Sequence, residues 1–173
     1  TRFDLVRMAD YLAYHDYKMF HTTYSMLWIQ MLYDYYLYSG DRTMIEYAKP
    51  TMEKLLERFS GYVGKSGIID NPPDYMFVDW LMVDGNNMHH PPKALGQGVL
   101  SAFYYQGLRL AEKIERWLSD DPQADLYQKR AAAFQTAFHQ TLYDEEKGLY
   151  FDGLNDTYTP NDWLPQNVSA RYY

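Results

Sequence analysis

The chain alternates between helical segments that are apolar on every side and segments that are apolar on one side only. Few architectures accommodate that order. From about Tyr24 to Ser39 it reads Met26, Leu27, Trp28, Ile29, Met31, Leu32, Tyr33, Tyr35, Tyr36 and Leu37, with no continuous polar face. A helix of this kind must be covered all round. The segments on either side differ. Leu5, Val6, Met8, Ala9, Leu12 and Ala13 recur at three- and four-residue spacing with Arg2, Asp4, Arg7 and Asp10 between them. That is an amphipathic helix of about three turns. After Gly40, Asp41 is placed to cap another one-sided helix, which ends near Ser60. It sets Met44, Ile45, Ala48, Met52, Leu55, Leu56 and Phe59 against Arg42, Glu46, Lys49, Glu53, Lys54 and Glu57, and Pro50 should kink it.

A fourth helix is expected from about Lys93 to Leu118. Its first half is apolar and small, and Gly96, Gly98 and Gly107 suggest close approach by neighbouring backbones. A fifth, from about Pro122 to Leu142, sets Leu126, Ala133, Phe134, Ala137 and Phe138 against Gln128, Lys129, Arg130 and Gln135. The order is outer, inner, outer, inner, outer. A four-helix bundle would make every helix one-sided. An inner ring wrapped by an outer ring makes them alternate, so the fold expected is all-α: part of an (α/α)6 toroid. Short strand pairs are expected only at Ile68-Ile69 and Gly148 to Phe151.

Two connectors are long, about Gly61 to Pro92 and about Tyr143 to Val168, whereas Ser39-Gly40-Asp41 is tight. Both long connectors lead from an outer helix to an inner one, so both belong at one end of the ring. Long loops in a compact domain are usually functional. The candidate site is therefore expected at that end.

Several chemistries are excluded or weakened. There is no cysteine, which removes disulfides, thiol catalysis and cysteine-ligated zinc. A net charge of −7 disfavours nucleic acid and anionic membranes as partners. The stretch Met26 to Tyr38 is too short to span a bilayer and is interrupted by Gln30 and Asp34. No signal peptide is seen, and cytoplasm and periplasm both stay open as locations. The chain opens on Thr1 within a helical pattern and stops at Tyr173 without a stop signal, so a fragment of a longer protein is expected. Gly64-Lys65-Ser66 lacks the earlier glycine of a phosphate loop, since position 59 is Phe. Gly96-Gln97-Gly98 is followed by Ser at position 101 and reads as packing. His15, His21, His89 and His90 have no metal-ligand spacing on a helix face, and no cofactor or metal is implied.

The chain contains 19 Tyr, 8 Phe and 4 Trp, residues that line sugar sites as readily as they fill helical cores. The informative stretch is Asp74-Tyr75-Met76-Phe77-Val78-Asp79-Trp80, on the first long connector. A carboxylate beside aromatic rings suits a pyranose: the carboxylate accepts from hydroxyls and a ring packs on the apolar sugar face. The competing reading is a capped turn in which Phe77 and Trp80 plug the ring. Asp162-Trp163 repeats the pairing on the second connector, beyond Asp156.

Phe77-Val78-Asp79-Trp80, followed by an inner helix with Phe103-Tyr104-Tyr105, resembles the middle of bacterial α-L-rhamnosidases. So does Tyr24 to Trp28 leading to Asp34 through Asp41. Leu142-Tyr143-Asp144 through Gly148 to Gly153 is similar to the hairpin of many six-hairpin glycosidases. The resemblance implies an (α/α)6 toroid and inverting hydrolysis of terminal α-L-rhamnose from an oligosaccharide or glycoside. Substrate-binding roles are expected for Asp79, Trp80 and Tyr75 on the first connector and, because the two long connectors share an end, for Asp162 and Trp163 on the second. The family's acid lies before the region seen here and its base on a later loop, and neither motif occurs in these residues. Residues 1–173 are thus expected to be a fragment of one catalytic domain with no internal boundary, inactive alone. The alternatives are another six-hairpin glycosidase and a non-catalytic helical carbohydrate-binding scaffold. Oligomeric state is not legible.

Overall fold

The structure, a computed structural model, describes residues 22–70, 81–83, 86–88, 97–151 and 153. The helix expected near Asp4–Tyr14 lies outside the described residues. Among the described residues four helices carry the fold: α1 (Thr22–Ser39), α2 (Arg42–Ser60), α3 (Gly98–Trp117) and α4 (Asp121–Leu142). Two small antiparallel pairs accompany them, β1 (Leu81–Val83) with β2 (Asn86–Met88), and β3 (Tyr143–Asp144) with β4 (Leu149–Tyr150). None of the described helices is long and apolar enough to cross a membrane.

Local chemistry sets the helix ends. Gly40 adopts φ +67° and its N–H donates to the Tyr36 carbonyl at 2.8 Å, which closes α1. Asp41 then caps α2 by accepting from the Thr43 N–H at 2.9 Å and from the Tyr35 hydroxyl at 3.0 Å. The Tyr35 bond and the cap hold its carboxyl below the usual range. Asp120 caps α4 through the Gln123 N–H, with Pro122 in the first turn, where its missing N–H costs nothing. The kink expected at Pro50 does not interrupt α2, which continues through it as one helix. Helix α3 begins at Gly98, with Gln97 at its N-terminal boundary and no side-chain cap bond from it, and residues 93–96 lie outside the described residues.

The core runs unbroken through all four helices. Trp28, Ile29 and Leu32 of α1 meet Ile45, Met52, Leu56 and Phe59 of α2 and Leu100, Tyr104, Leu108 and Ala111 of α3. Tyr127, Ala131 and Phe134 of α4 close it from the other side. Tyr104 is the aromatic hinge of the packing, stacked on Phe59 with centroids 6.0 Å apart and edge-on to Phe134 at 5.1 Å. Phe134 is buried and Phe138 packs against the core as expected, but the rest of the α4 stripe is Ala124, Tyr127, Ala131 and Leu142, while Leu126 and Ala133 are exposed. Spacing of three, four and three favours Tyr127 over Leu126 on that face. A Cβ on Gly107 would sit 2.9 Å from the Met26 sulfur and 3.6 Å from Ile29 and Leu56. The close approach inferred from glycine is real there, but side chains make it rather than backbone.

The inner helices are more buried than the outer ones, clearly for α3 and only slightly for α1. Seven of 18 residues are buried in α1 and nine of 20 in α3, against six of 19 in α2 and five of 22 in α4. The outer helices expose Arg42, Glu46, Glu57, Asp125 and Lys129. Helix α1 departs from the expectation in one respect, because it is not covered all round. Tyr24, Leu27, Met31, Tyr35 and Tyr38 form one exposed stripe along it, Tyr38 being 93% exposed. Contacts such as Tyr33 on Trp117 and Gln106 to Gln30 put α3 on another side of the helix. Among the described residues nothing covers this stripe, which forms an exposed edge. Expressed alone, the 173-residue chain should associate through this edge. Sedimentation should show oligomers that Met31→Glu reduces, and a monomeric wild-type chain with a cooperative melt would contradict this.

Candidate functional site

The connections sort to two ends, and each end is tied together by bonds between hairpins. At the tight-turn end, Ser39-Gly40-Asp41 lies near Leu118-Ser119-Asp120, and Arg42 Nη2 donates to the Leu118 carbonyl at 3.3 Å. Ser119 takes φ +64° to make the second turn. Lys49 Nζ reaches across from α2 to Glu115 of α3 and to Asp120 at 2.9 Å, while also pairing with Glu53 at 2.8 Å. Burial alone would lower the Lys49 pKa, but bonds to Glu115, Glu53 and Asp120 outweigh it and hold the ammonium above the ordinary lysine range. Glu115 is fully buried, and desolvation raises its carboxyl despite Lys49. Asp120 is held low by Lys49 and the cap. One oxygen from each of Glu53, Glu115 and Asp120 lies within 4.8 Å of the others, a grouping that could hold a cation. The Lys49 ammonium already serves as that cation. An open hollow of about 340 Å³ lies beside this cluster, lined by Arg42, Glu46, Lys49, Leu118, Ser119 and Asp120. Its two cations and two carboxylates balance, and it sits at the plain end.

The other end holds the roots of both long connectors. After α2 the chain makes a compact turn over residues 61–70, closed by the Val63–Ile69 bridge and by the Gly64 N–H to the Ile68 carbonyl at 3.0 Å. Asp70 folds back into this turn, where its carboxylate accepts from the Ser66 N–H at 3.3 Å and from the Ser66 hydroxyl. A Cβ on Gly64 would fall 1.4 Å from an Asp70 oxygen, so only glycine lets the carboxylate lie there. The turn is bound to both neighbouring helices. Thr141 Oγ1 of α4 donates to the Ser66 carbonyl at 3.3 Å. The Gln97 N–H donates to the Ile69 carbonyl at 2.8 Å, and the Ile69 N–H donates to Ser101 Oγ of α3 at 3.1 Å. The second connector leaves α4 beside it. There β3 and β4 pair Tyr143 with Tyr150 and Asp144 with Leu149, and the Phe151 N–H returns to the Leu142 carbonyl at 2.7 Å. Rings of Phe138, His139, Tyr143 and Tyr150 gather on this hairpin, and His139 Nδ1 meets the Tyr150 hydroxyl at 2.9 Å.

The roots of the two connectors are therefore neighbours, as the topology predicted. The five candidate binding residues, Tyr75, Asp79, Trp80, Asp162 and Trp163, lie outside the described residues. Trp80 directly precedes β1 in sequence. The β1–β2 pair was not anticipated, although Asp84-Gly85 between the strands is a strong two-residue hairpin signal. Ser101, Thr141 and Asp70 were also not anticipated. Each carries a bond between segments far apart in sequence, and periodicity says nothing about such partners.

A family model described as the bacterial alpha-L-rhamnosidase six-hairpin glycosidase domain matches residues 10–162. Among solved structures, the chain is similar to a GH78 family rhamnosidase of Bacillus sp. GL1, with a TM-score of 0.67 and 20% identity. That likeness covers 79% of this chain and 14% of that one, so this chain spans a small part of its neighbour's length. At that identity it establishes the fold. No curated protein matches the sequence.

Proposed function

The chain belongs to the bacterial α-L-rhamnosidase six-hairpin glycosidase family and forms part of an (α/α)6 toroid, and from this premise we propose that the protein containing it removes terminal α-L-rhamnose from glycosides with inversion. Residues 1–173 are one piece of a single catalytic domain with no internal boundary, a reading supported by the unbroken core through all four helices. The observation that carries the proposal is the adjacency of the two long-connector roots at one end of the ring. A sugar site built from both loops needs that adjacency.

In this reading Asp79 accepts hydrogen bonds from sugar hydroxyls and Trp80 stacks on the apolar face of the ring. Tyr75, Asp162 and Trp163 complete the wall from the two loops. The acid and base come from outside these residues. The acid protonates the glycosidic oxygen as its bond to the anomeric carbon breaks. The base takes a proton from the water that attacks the opposite face. Two carboxyl groups roughly 6.5–9.5 Å apart leave room for that water.

In the protein containing this chain, Asp79→Ala should lower turnover of an aryl α-L-rhamnoside about ten- to a hundredfold, since a bond to a charged group is worth roughly 1.5–3 kcal/mol. Unchanged kinetics in a folded variant would remove Asp79 from the site. Proton NMR of the first product should show the β-anomer. An initial α-anomer would overturn inversion, and turnover of a different aryl glycoside in its place would point to another six-hairpin glycosidase.

A further inference from the structure

Ile69 has both of its backbone groups engaged by the first turn of α3. Its carbonyl accepts from the Gln97 N–H and its N–H donates to Ser101 Oγ. Ser101 is fully buried, on an inner helix whose neighbouring positions are Leu100, Tyr104 and Leu108. A hydroxyl in that apolar setting is there for a partner, because a buried hydroxyl without one is unfavourable. Its partner is the last stretch of chain before the connector that carries Tyr75, Asp79 and Trp80. Ile69 itself is fully buried, so the bond is shielded from water. Asp70, one residue on, is held by Ser66 and by its own N–H to the Tyr62 carbonyl at 3.3 Å. Thr141 fixes the same turn to α4. The turn over 61–70 is thus held to α3 and α4 where the chain leaves it.

We infer that Ser101 is a positioning residue, which sets the place and direction in which the substrate loop leaves the helical ring. This rests on the sugar-site reading above. A hydrogen bond from the buried Ile69 N–H fixes one residue in both translation and strand register. Removing the acceptor leaves that N–H unpaired, and the cheapest relief is for the chain at 69–70 to move toward water. Such movement displaces the loop downstream while α3, whose backbone bonds do not involve the hydroxyl, stays helical.

Two measurements test this. In the protein containing this chain, Ser101→Ala should raise KM for p-nitrophenyl α-L-rhamnopyranoside about tenfold with kcat changed less than about threefold. Ser101→Thr, which keeps the oxygen, should return KM toward wild type. Leu108→Ala on the same helix, matched for loss of thermal stability, should leave KM unchanged. Equal KM for Ser101→Ala and Leu108→Ala would overturn the inference, because Ser101 would then act on stability alone. Hydrogen exchange on the protein containing this chain supplies the second readout. Ser101→Ala should speed exchange of the amides from Ile69 into the connector without changing those of α4. Unaltered exchange there would overturn positioning whatever the enzyme's substrate. Absence of any rhamnosidase activity in the wild-type protein would overturn the function and leave the exchange result standing.

Discussion

Replacing Lys49 with methionine should destabilise the chain by about 3 kcal/mol, the low end of what breaking a buried ion pair costs. The low end applies because Lys49 keeps 23% of its side chain exposed while its partner Glu115 is fully buried. Without the ammonium, Glu115 has no cation in its pocket and its already raised carboxyl moves higher. For an acid whose folded pKa exceeds the unfolded one, stability is complete below the unfolded pKa and is lost as pH rises through the folded value. The gap between wild type and Lys49→Met should therefore narrow as pH falls from 7 toward 4. Changing both residues, in Lys49→Met with Glu115→Met, should recover most of the loss, since two apolar side chains need no partner. Urea melts of the two single variants and the double variant measure this. Additive losses in the double variant would show that Lys49 and Glu115 do not act as a pair.

Alkaline pH should unfold the chain between about pH 10 and 12. Burial pushes the hydroxyl of Tyr104 up to about 12, and that of Tyr127 likewise to about 12. An unfolded tyrosine ionises near 10, so each of the two contributes stability that is full below that pH and is lost as pH rises through about 12. Each of the two contributes roughly 3 kcal/mol, lost as pH rises from 10 to 12. Lys49 has the same sign. Held above the ordinary lysine range, it stabilises the fold below the unfolded lysine pKa, and that contribution fades as pH rises further. Losses of this size compare with the whole stability of a small domain, so helicity should collapse rather than decline. Circular dichroism against pH reads the collapse. Tyr104→Phe, which keeps the ring between Phe59 and Phe134 and removes the ionisable group, should move the midpoint upward. A midpoint that does not move, or helix content unchanged to pH 12, would contradict the assignment.

Much of the ring could be read from local rules. The alternation of all-round apolar and one-sided segments identified inner and outer helices because burial on every side and burial on one side need different residues. Gly40 and Asp41 marked a helix end and the next start, since a left-handed residue and a carboxylate cap are local requirements that a few neighbouring residues satisfy. Two long connectors running from outer to inner helices had to share an end. Local rules stopped where a side chain's partner lies far along the chain. Nothing in the sequence near Ser101 or Thr141 names Ile69 or Ser66 as the group to be held. Lys49, Glu53, Glu115 and Asp120 read as ordinary solvated charges until α2 and α3 bring them to one point. The open stripe on α1 is the converse case. Composition made every face of that helix apolar, and only the tertiary arrangement decided which faces α2 and α3 cover and which stays uncovered. The reason is the same throughout: hydrophobic periodicity is a one-dimensional signal, and a contact between distant segments is set by where the helices cross.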